Sequence, residues 1–190
     1  HDLLMLFGIT YVDYLKSIYS KEISKKKDQN VIKHTPKNAF GVDGWESLEK
    51  LFYVMNETLQ YVVLRNFEKL PNEYISNDHG DIDLLVKDLK QTVYKTNAIK
   101  VHHGKNRFHY KIKIARQYVY FDFRCIGDNY YDEKWQLDIL KNKIKSSGGF
   151  NIPSDEDHFY SLIYHALIHK KTISDDYPIK IRNIFKTLKY

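Results

Sequence analysis

A single cysteine, Cys125, excludes an internal disulfide and any metal site built from several thiolates. It lies in a strand-like run, where a buried, inert thiol is the expectation. No apolar run approaches the roughly 18 residues that a membrane-spanning helix needs. No signal-peptide pattern is visible, so a cytoplasmic setting is expected. Also missing are a glycine-rich phosphate loop, a Ser-His-Asp order, a reactive-cysteine setting and a compact aromatic–basic motif for stacking bases. The chain opens at His1, and Asp2-Leu3-Leu4-Met5-Leu6-Phe7 reads as the end of another element, as in a domain of a longer, multidomain protein.

What is present is enough for a folded domain. The 190 residues are 43% hydrophobic and 15% aromatic, which marks a globular chain with room for one domain and a helical appendage. The net charge is +6 and the isoelectric point about 9.1. That surplus fits phosphate-bearing ligands, nucleic acid or an anionic membrane surface, and equally a solvated lysine-rich surface.

Residues 2–19 are apolar, with Tyr11, Tyr14, Leu15, Ile18 and Tyr19 on one helical face. The basic stretch from Lys21 to Gly44 reads as a loop or linker. Trp45, Leu48, Leu51, Phe52, Met55 and Leu59 recur at helical spacing, with Asp43 or Gly44 near the start. Strands are predicted from Tyr61 to Leu64 and from Ile82 to Val86, separated by a polar loop from Tyr74 to Gly80, and a helix runs from Asp88 to Thr96. Three strands follow in series, from Ile99 to His103, from Arg107 to Ile114 and from Tyr118 to Ile126. Three helices close the chain, marked by Trp135, Ile139 and Leu140, then by Phe159, Leu162, Ile163, Ala166 and Leu167, then by Ile181, Ile184, Phe185 and Leu188. Ser154 with Asp157 three residues on reads as the N-cap of the second. The order predicts an α+β fold: a mixed β-sheet with strand–helix–strand at its heart, flanking helices and a C-terminal helical part. The predicted divisions are 1–44, an N-terminal helix and basic linker; 45–130, the α/β core; and 131–190, the helical part.

The chemistry concentrates in Gly80-Asp81-Ile82-Asp83-Leu84-Leu85-Val86. Strand side chains alternate, so Asp81 and Asp83 share one face while Ile82, Leu84 and Val86 face the core. Neighbouring carboxylates repel, and a divalent cation removes the conflict. Carboxylate oxygens suit Mg²⁺ or Mn²⁺. Asp122 stands in a later apolar strand with Phe121 and Phe123 beside it, where a charge requires a partner. Two partners are open to it, a shared metal ion or a salt bridge to Arg124 or a lysine. If metal is the partner, neutralising Asp83 should leave the metal-free fold intact or more stable.

The strand from Arg107 to Ile114 alternates strictly, with Arg107, His109, Lys111 and Lys113 on its basic face. A two-residue turn at Arg116-Gln117 would pair Ala115 with Tyr118 and set Lys111 opposite Asp122, beside the carboxylates. His165 and His169 have zinc-ligand spacing on one helix, but no glutamate follows the first histidine, and ordinary helix histidines are the expectation.

An acidic-x-acidic pair at a strand start, a strand twenty residues upstream, a later strand aspartate and a helical tail together resemble the nucleotidyltransferase superfamily with the DNA polymerase beta-like fold. More narrowly, VVLRNFEKLP, DHGDIDLLV and FYSLIYHALIHK look like an uncharacterised bacterial nucleotidyltransferase-like branch. The resemblance covers residues 45 to 170. It implies a nucleotidyltransferase-like core holding Mg²⁺ on Asp81, Asp83 and Asp122, and transfer from a nucleoside triphosphate to an acceptor. In the wider superfamily acceptors include nucleic acid, proteins, sugars and small molecules. The family's Gly-Ser or Lys-Gly turn is replaced here by Arg65-Asn66, with Arg65 in place of a phosphate-binding lysine and Gly80 offering backbone approach. His165, Lys170 and Arg124 complete the implied nucleotide contacts. A second reading is a non-catalytic module that binds a nucleotide or a partner on the same fold.

Overall fold

The computed structural model describes residues 41, 43–74, 81–101, 109–170, 173 and 175–188. The expectations for residues 2–19, for Lys21 to Phe40, for Ile75 to Gly80 and for His102 to Phe108 lie outside the described residues.

The first helix, α1 (Leu48–Thr58), is set by Leu48, Leu51, Phe52 and Met55, all buried and all on one helical stripe. Its cap is Ser47, whose side chain accepts from the Lys50 amide, rather than Asp43 or Gly44. Trp45 stands before the helix in an isolated parallel bridge to Ile114, and its indole N–H donates to the Thr96 carbonyl at 2.9 Å.

Then follow β1 (Tyr61–Val63), β2 (Asp81–Val86), α2 (Leu89–Thr96), β3 (Ile99–Lys100), β4 (His109–Ile114) and β5 (Gln117–Cys125). They form one mixed sheet in the order β1-β2-β5-β4-β3. Only the β2–β5 pair is parallel, and α2 lies within the connection between its two strands. Ile82, Leu84, Val86, Tyr110, Ile112, Ile114, Phe121 and Phe123 face α1 and form the main core. Each such large side chain removed from water contributes about 1.5–3 kcal/mol before entropy is counted. On the other face Val62, Leu64 and Leu85 meet Tyr130, Tyr131, Ile139 and Leu140, the last two from α3 (Glu133–Lys141).

The C-terminal part is not purely helical. Beyond α3 the chain forms a short hairpin, β6 (Ile144–Lys145) with β7 (Asn151–Ile152), for which the sequence reading had no strand. Phe150 in that hairpin stacks on Phe52 with ring centroids 4.7 Å apart, which ties it to the main core. Helix α4 (Asp155–Tyr164) starts at Ser154, whose hydroxyl accepts from the Asp157 amide as the sequence predicts. It runs into one π-helical turn, His165–His169, and α5 (Asp176–Thr187) packs across it through Leu162, Ala166, Tyr177, Ile181 and Ile184. The architecture is therefore α+β. Among the described residues no helix is long and apolar enough to cross a membrane.

Candidate metal centre

The parallel register of β2 and β5 sets Asp83 opposite Asp122 and Asp81 opposite Tyr120. On the other side of β5, antiparallel β4 sets His109 opposite Asp122. Paired residues in neighbouring strands share a face, so Asp81, Asp83, Asp122 and His109 gather on the side away from the main core. Asp83 and Asp122 are 6% and 5% exposed, and Asp81 is half-buried.

Two of the three carboxylates carry an arginine supplied by the chain itself. Arg65 Nη2 lies 2.5 Å from Asp83 Oδ1, and Arg124 Nη2 lies 2.9 Å from Asp122 Oδ2. Burial pushes the Asp83 carboxyl up to about 6, with Asp81 and Asp122 adding to the rise and Arg65 and Arg124 opposing it. Burial also works against the charge on Arg65, but Asp83 and Tyr130 outweigh it and hold the guanidinium firmly protonated. Arg65 is 8% exposed, so it serves here as an internal counter-ion, not as an open phosphate contact.

One ligand atom each from Asp81, His109 and Asp122 lie within 4.8 Å of one another. Three ligands about 2.2 Å from one ion stand about 3.1–3.8 Å from each other, so the three side chains would draw together on binding it. Two buried atoms have no hydrogen-bond partner among the described residues and could supply ligands: Asp122 Oδ1 and His109 Nε2. Buried polar atoms are seldom left in that state. The arrangement fits a divalent cation, and Asp83, engaged by Arg65, stands outside the triad.

Sequence reasoning missed His109 as a candidate ligand because it placed the hairpin turn one residue too late. The turn is Ala115-Arg116, with φ of 47° and 71°, and Ile114 pairs with Gln117. Both central residues take the left-handed conformation of a type I′ turn, which Asn-Gly would have announced and Ala-Arg does not. The register shift moves His109 opposite Asp122 and Lys111 opposite Tyr120. Lys111 Nζ instead lies 4.4 Å from the centre of the Tyr118 ring, a cation–π contact away from the carboxylates.

The missing glycine after Arg65 has a structural replacement. Asn66 adopts φ 56°, the left-handed conformation for which asparagine is the common substitute, and its Oδ1 accepts from Lys180 Nζ at 3.0 Å. Asn66→Gly is therefore expected to fold with little change. Asn66→Val should lose about 1–3 kcal/mol to backbone strain. Urea midpoints of the two variants check this, and equal midpoints would count against the left-handed turn.

Tyr130 links the arginines to the helical part. Arg65 Nη1 donates to its hydroxyl at 2.9 Å, which leaves the phenol proton for His165 Nδ1 at 2.8 Å. The Arg124 guanidinium lies 4.1 Å from the ring centre, and the His169 ring stacks on Tyr130 at 4.1 Å. Burial, then Arg65, His169, Lys170 and Arg124, push the His165 imidazole down to about 3, so it is neutral. His165 thus reaches the site through Tyr130, which no sequence motif singled out. Lys170 is exposed, with Nζ 5.1 Å from the Tyr177 ring centre, and Gly80 lies outside the described residues.

His158 is a second neutral histidine, buried against Phe67 with ring centroids 4.7 Å apart. Burial pushes it down to about 4, helped by Lys180 and opposed by Glu68 and Asp155. That value lies below the unfolded one of 6.5, so between the two only the unfolded chain takes up the proton. His158 contributes stability that is complete above pH 6.5 and is lost as pH falls toward 4, on the order of 3 kcal/mol. His158→Gln should flatten that part of the curve of melting temperature against pH. Parallel curves for variant and wild type would assign the acid sensitivity elsewhere.

No protein-family model, curated protein or solved structure matches this chain.

Proposed function

We propose that this chain is a metal-dependent nucleotidyltransferase, moving a nucleotidyl group from a nucleoside triphosphate to an acceptor. The observation that carries the reading is the register of β2 with β5, which gathers carboxylates from two adjacent parallel strands into one cluster with two ligand atoms unsatisfied. Asp81 and Asp122 would hold a divalent cation, Mg²⁺ or Mn²⁺ in the simplest case. When bound, the cation supplies charge neutralisation on phosphate oxygens and lowers the pKa of an attacking hydroxyl. In the transfer, an acceptor oxygen attacks the α-phosphorus, the new P–O bond forms, and the bond to the β-phosphate oxygen breaks to release pyrophosphate. Asp83 with Arg65 and Arg124 with Asp122 orient the cluster through paired charges. A net charge of +6 suits an anionic donor, and nucleic acid, protein, sugar and small-molecule acceptors all remain open. A cytoplasmic setting, where nucleoside triphosphates are at hand, accords with this.

Pyrophosphate release, assayed with each nucleoside triphosphate and with Mg²⁺ or Mn²⁺, tests the proposal. Release that depends on the cation and stops with chelator is the expected result.

One observation favours a second reading. Among the described residues, the two arginines nearest the cluster are already paired with carboxylates. A module that binds a nucleotide without turning it over would show thermal stabilisation by nucleotide and cation but no pyrophosphate with any acceptor class.

A further inference from the structure

We propose that this site takes one first-row transition dication, of which Mn²⁺ is the working probe, in preference to Mg²⁺, and that His109 is the ligand responsible. This rests on the metal reading above and adds the identity and number of the ions.

The number follows from charge. Counted as formal charges, Asp81, Asp83 and Asp122 bring three negative and Arg65 and Arg124 two positive, so the carboxylate–arginine cluster is left with one net negative charge. A single dication turns that to one net positive charge, whereas a second would leave three in a largely buried cluster. The arginines thus take the place that a second ion would fill.

The identity follows from the ligands still open. Asp83 Oδ1 is bound by Arg65 and Asp122 Oδ2 by Arg124. The ligand atoms that the geometry gathers are those of the half-buried Asp81 carboxylate, of Asp122, whose Oδ1 is unpartnered, and of the His109 ring. A structural histidine at this depth normally shows a hydrogen bond. His109 Nε2 has none among the described residues, and Nδ1 stands 3.8 Å from Asp81 Oδ2, beyond hydrogen-bonding distance. Mg²⁺ demands near-octahedral oxygen coordination and keeps its waters. Imidazole nitrogen instead favours transition ions, which gain from the softer donor. A nitrogen and two carboxylates from three adjacent strands, β4, β5 and β2, form that mixed set.

Electron paramagnetic resonance of the chelator-stripped chain titrated with Mn²⁺ tests this, with Mg²⁺ as competitor. The wild type should bind one Mn²⁺, with Mg²⁺ displacing it only at concentrations at least about tenfold higher. The electron spin-echo signal of bound Mn²⁺ should carry ¹⁴N modulation from the imidazole. His109→Ala should lose that modulation and weaken Mn²⁺ by about tenfold or more. His109→Asp, which restores an oxygen ligand and guards against a mere folding defect, should bind Mg²⁺ and Mn²⁺ almost equally. Mn²⁺ binding that is unchanged in His109→Ala but lost in Asp122→Asn would overturn the role of His109 and leave the metal reading standing. If neither ion binds the wild type, both fall together.

Discussion

Asp83→Asn is expected to lower the stability of the metal-free protein by about 3–5 kcal/mol. Asp83 and Arg65 are both buried, with 2.5 Å between Oδ1 and Nη2. The asparagine amide carries no charge, and a guanidinium cannot discharge to compensate. Arg65 would keep the Tyr130 hydroxyl and a neutral amide oxygen as acceptors, with no counter-charge beside it. Two effects oppose this loss: an uncharged side chain escapes the cost of burying a carboxylate, the main cause of the raised Asp83 pKa, and it relieves repulsion from Asp81 and Asp122. Arg65 stays charged and buried in the variant with its counter-charge gone, and that uncompensated guanidinium sets the sign. This reverses the sign expected from the sequence alone, where neutralising one of three clustered acids should be harmless or stabilising. For Asp83 the positive centre is already supplied by Arg65. Replacing both partners, as in Arg65→Met with Asp83→Leu, should recover much of the loss, because no unpaired charge is left buried. Urea denaturation of the wild type, both single variants and the double variant, all in chelator, gives the coupling energy. A coupling below about 0.5 kcal/mol would show that the pair contributes no more than an exposed salt bridge.

The second large effect is on activity. Asp122→Asn should reduce cation-dependent pyrophosphate release by about 10²–10³-fold or more, the scale of losing one electrostatic contact in a preorganised site. Asp122 sits at mid-strand, opposite Asp83 on one side and His109 on the other, so its carboxylate is the element common to both halves of the cluster. The amide removes one negative charge and replaces one oxygen with a donor that cannot ligate. Oδ2 already serves Arg124, so a ligand role falls to Oδ1, and an amide cannot fill both roles with oxygen. Lys111→Met is the control: its ammonium lies on the Tyr118 ring, and turnover should be unchanged. Equal losses in the two variants would point to a general disturbance of the β4–β5 hairpin instead of a metal ligand.

Local pattern by itself determined the fold class and most of the elements. Alternation in Asp81 to Val86 and in Tyr118 to Cys125 placed Ile82, Leu84, Phe121 and Phe123 in the core, and all four are buried there. The stripe from Leu48 to Met55 and the Ser154 cap are likewise short-range signals, because helix and strand periodicity and capping act within a few residues. The β6–β7 hairpin escaped notice because its strands are two residues each, too short to show a period. What only the tertiary structure decided is the state of the candidate site. His109 faces Asp122 because Ala115 and Arg116 both take positive φ, a choice dictated by pairing of the flanking strands and not by turn-forming residues. Arg65 reaches Asp83 across 18 positions of sequence and meets Tyr130 across 65, separations at which composition carries no distance. Carboxylate spacing can announce that charge must be compensated. Whether an ion or an arginine does so depends on which side chains the sheet register brings within a few ångströms, since Coulomb and coordination energies are set by distance in space.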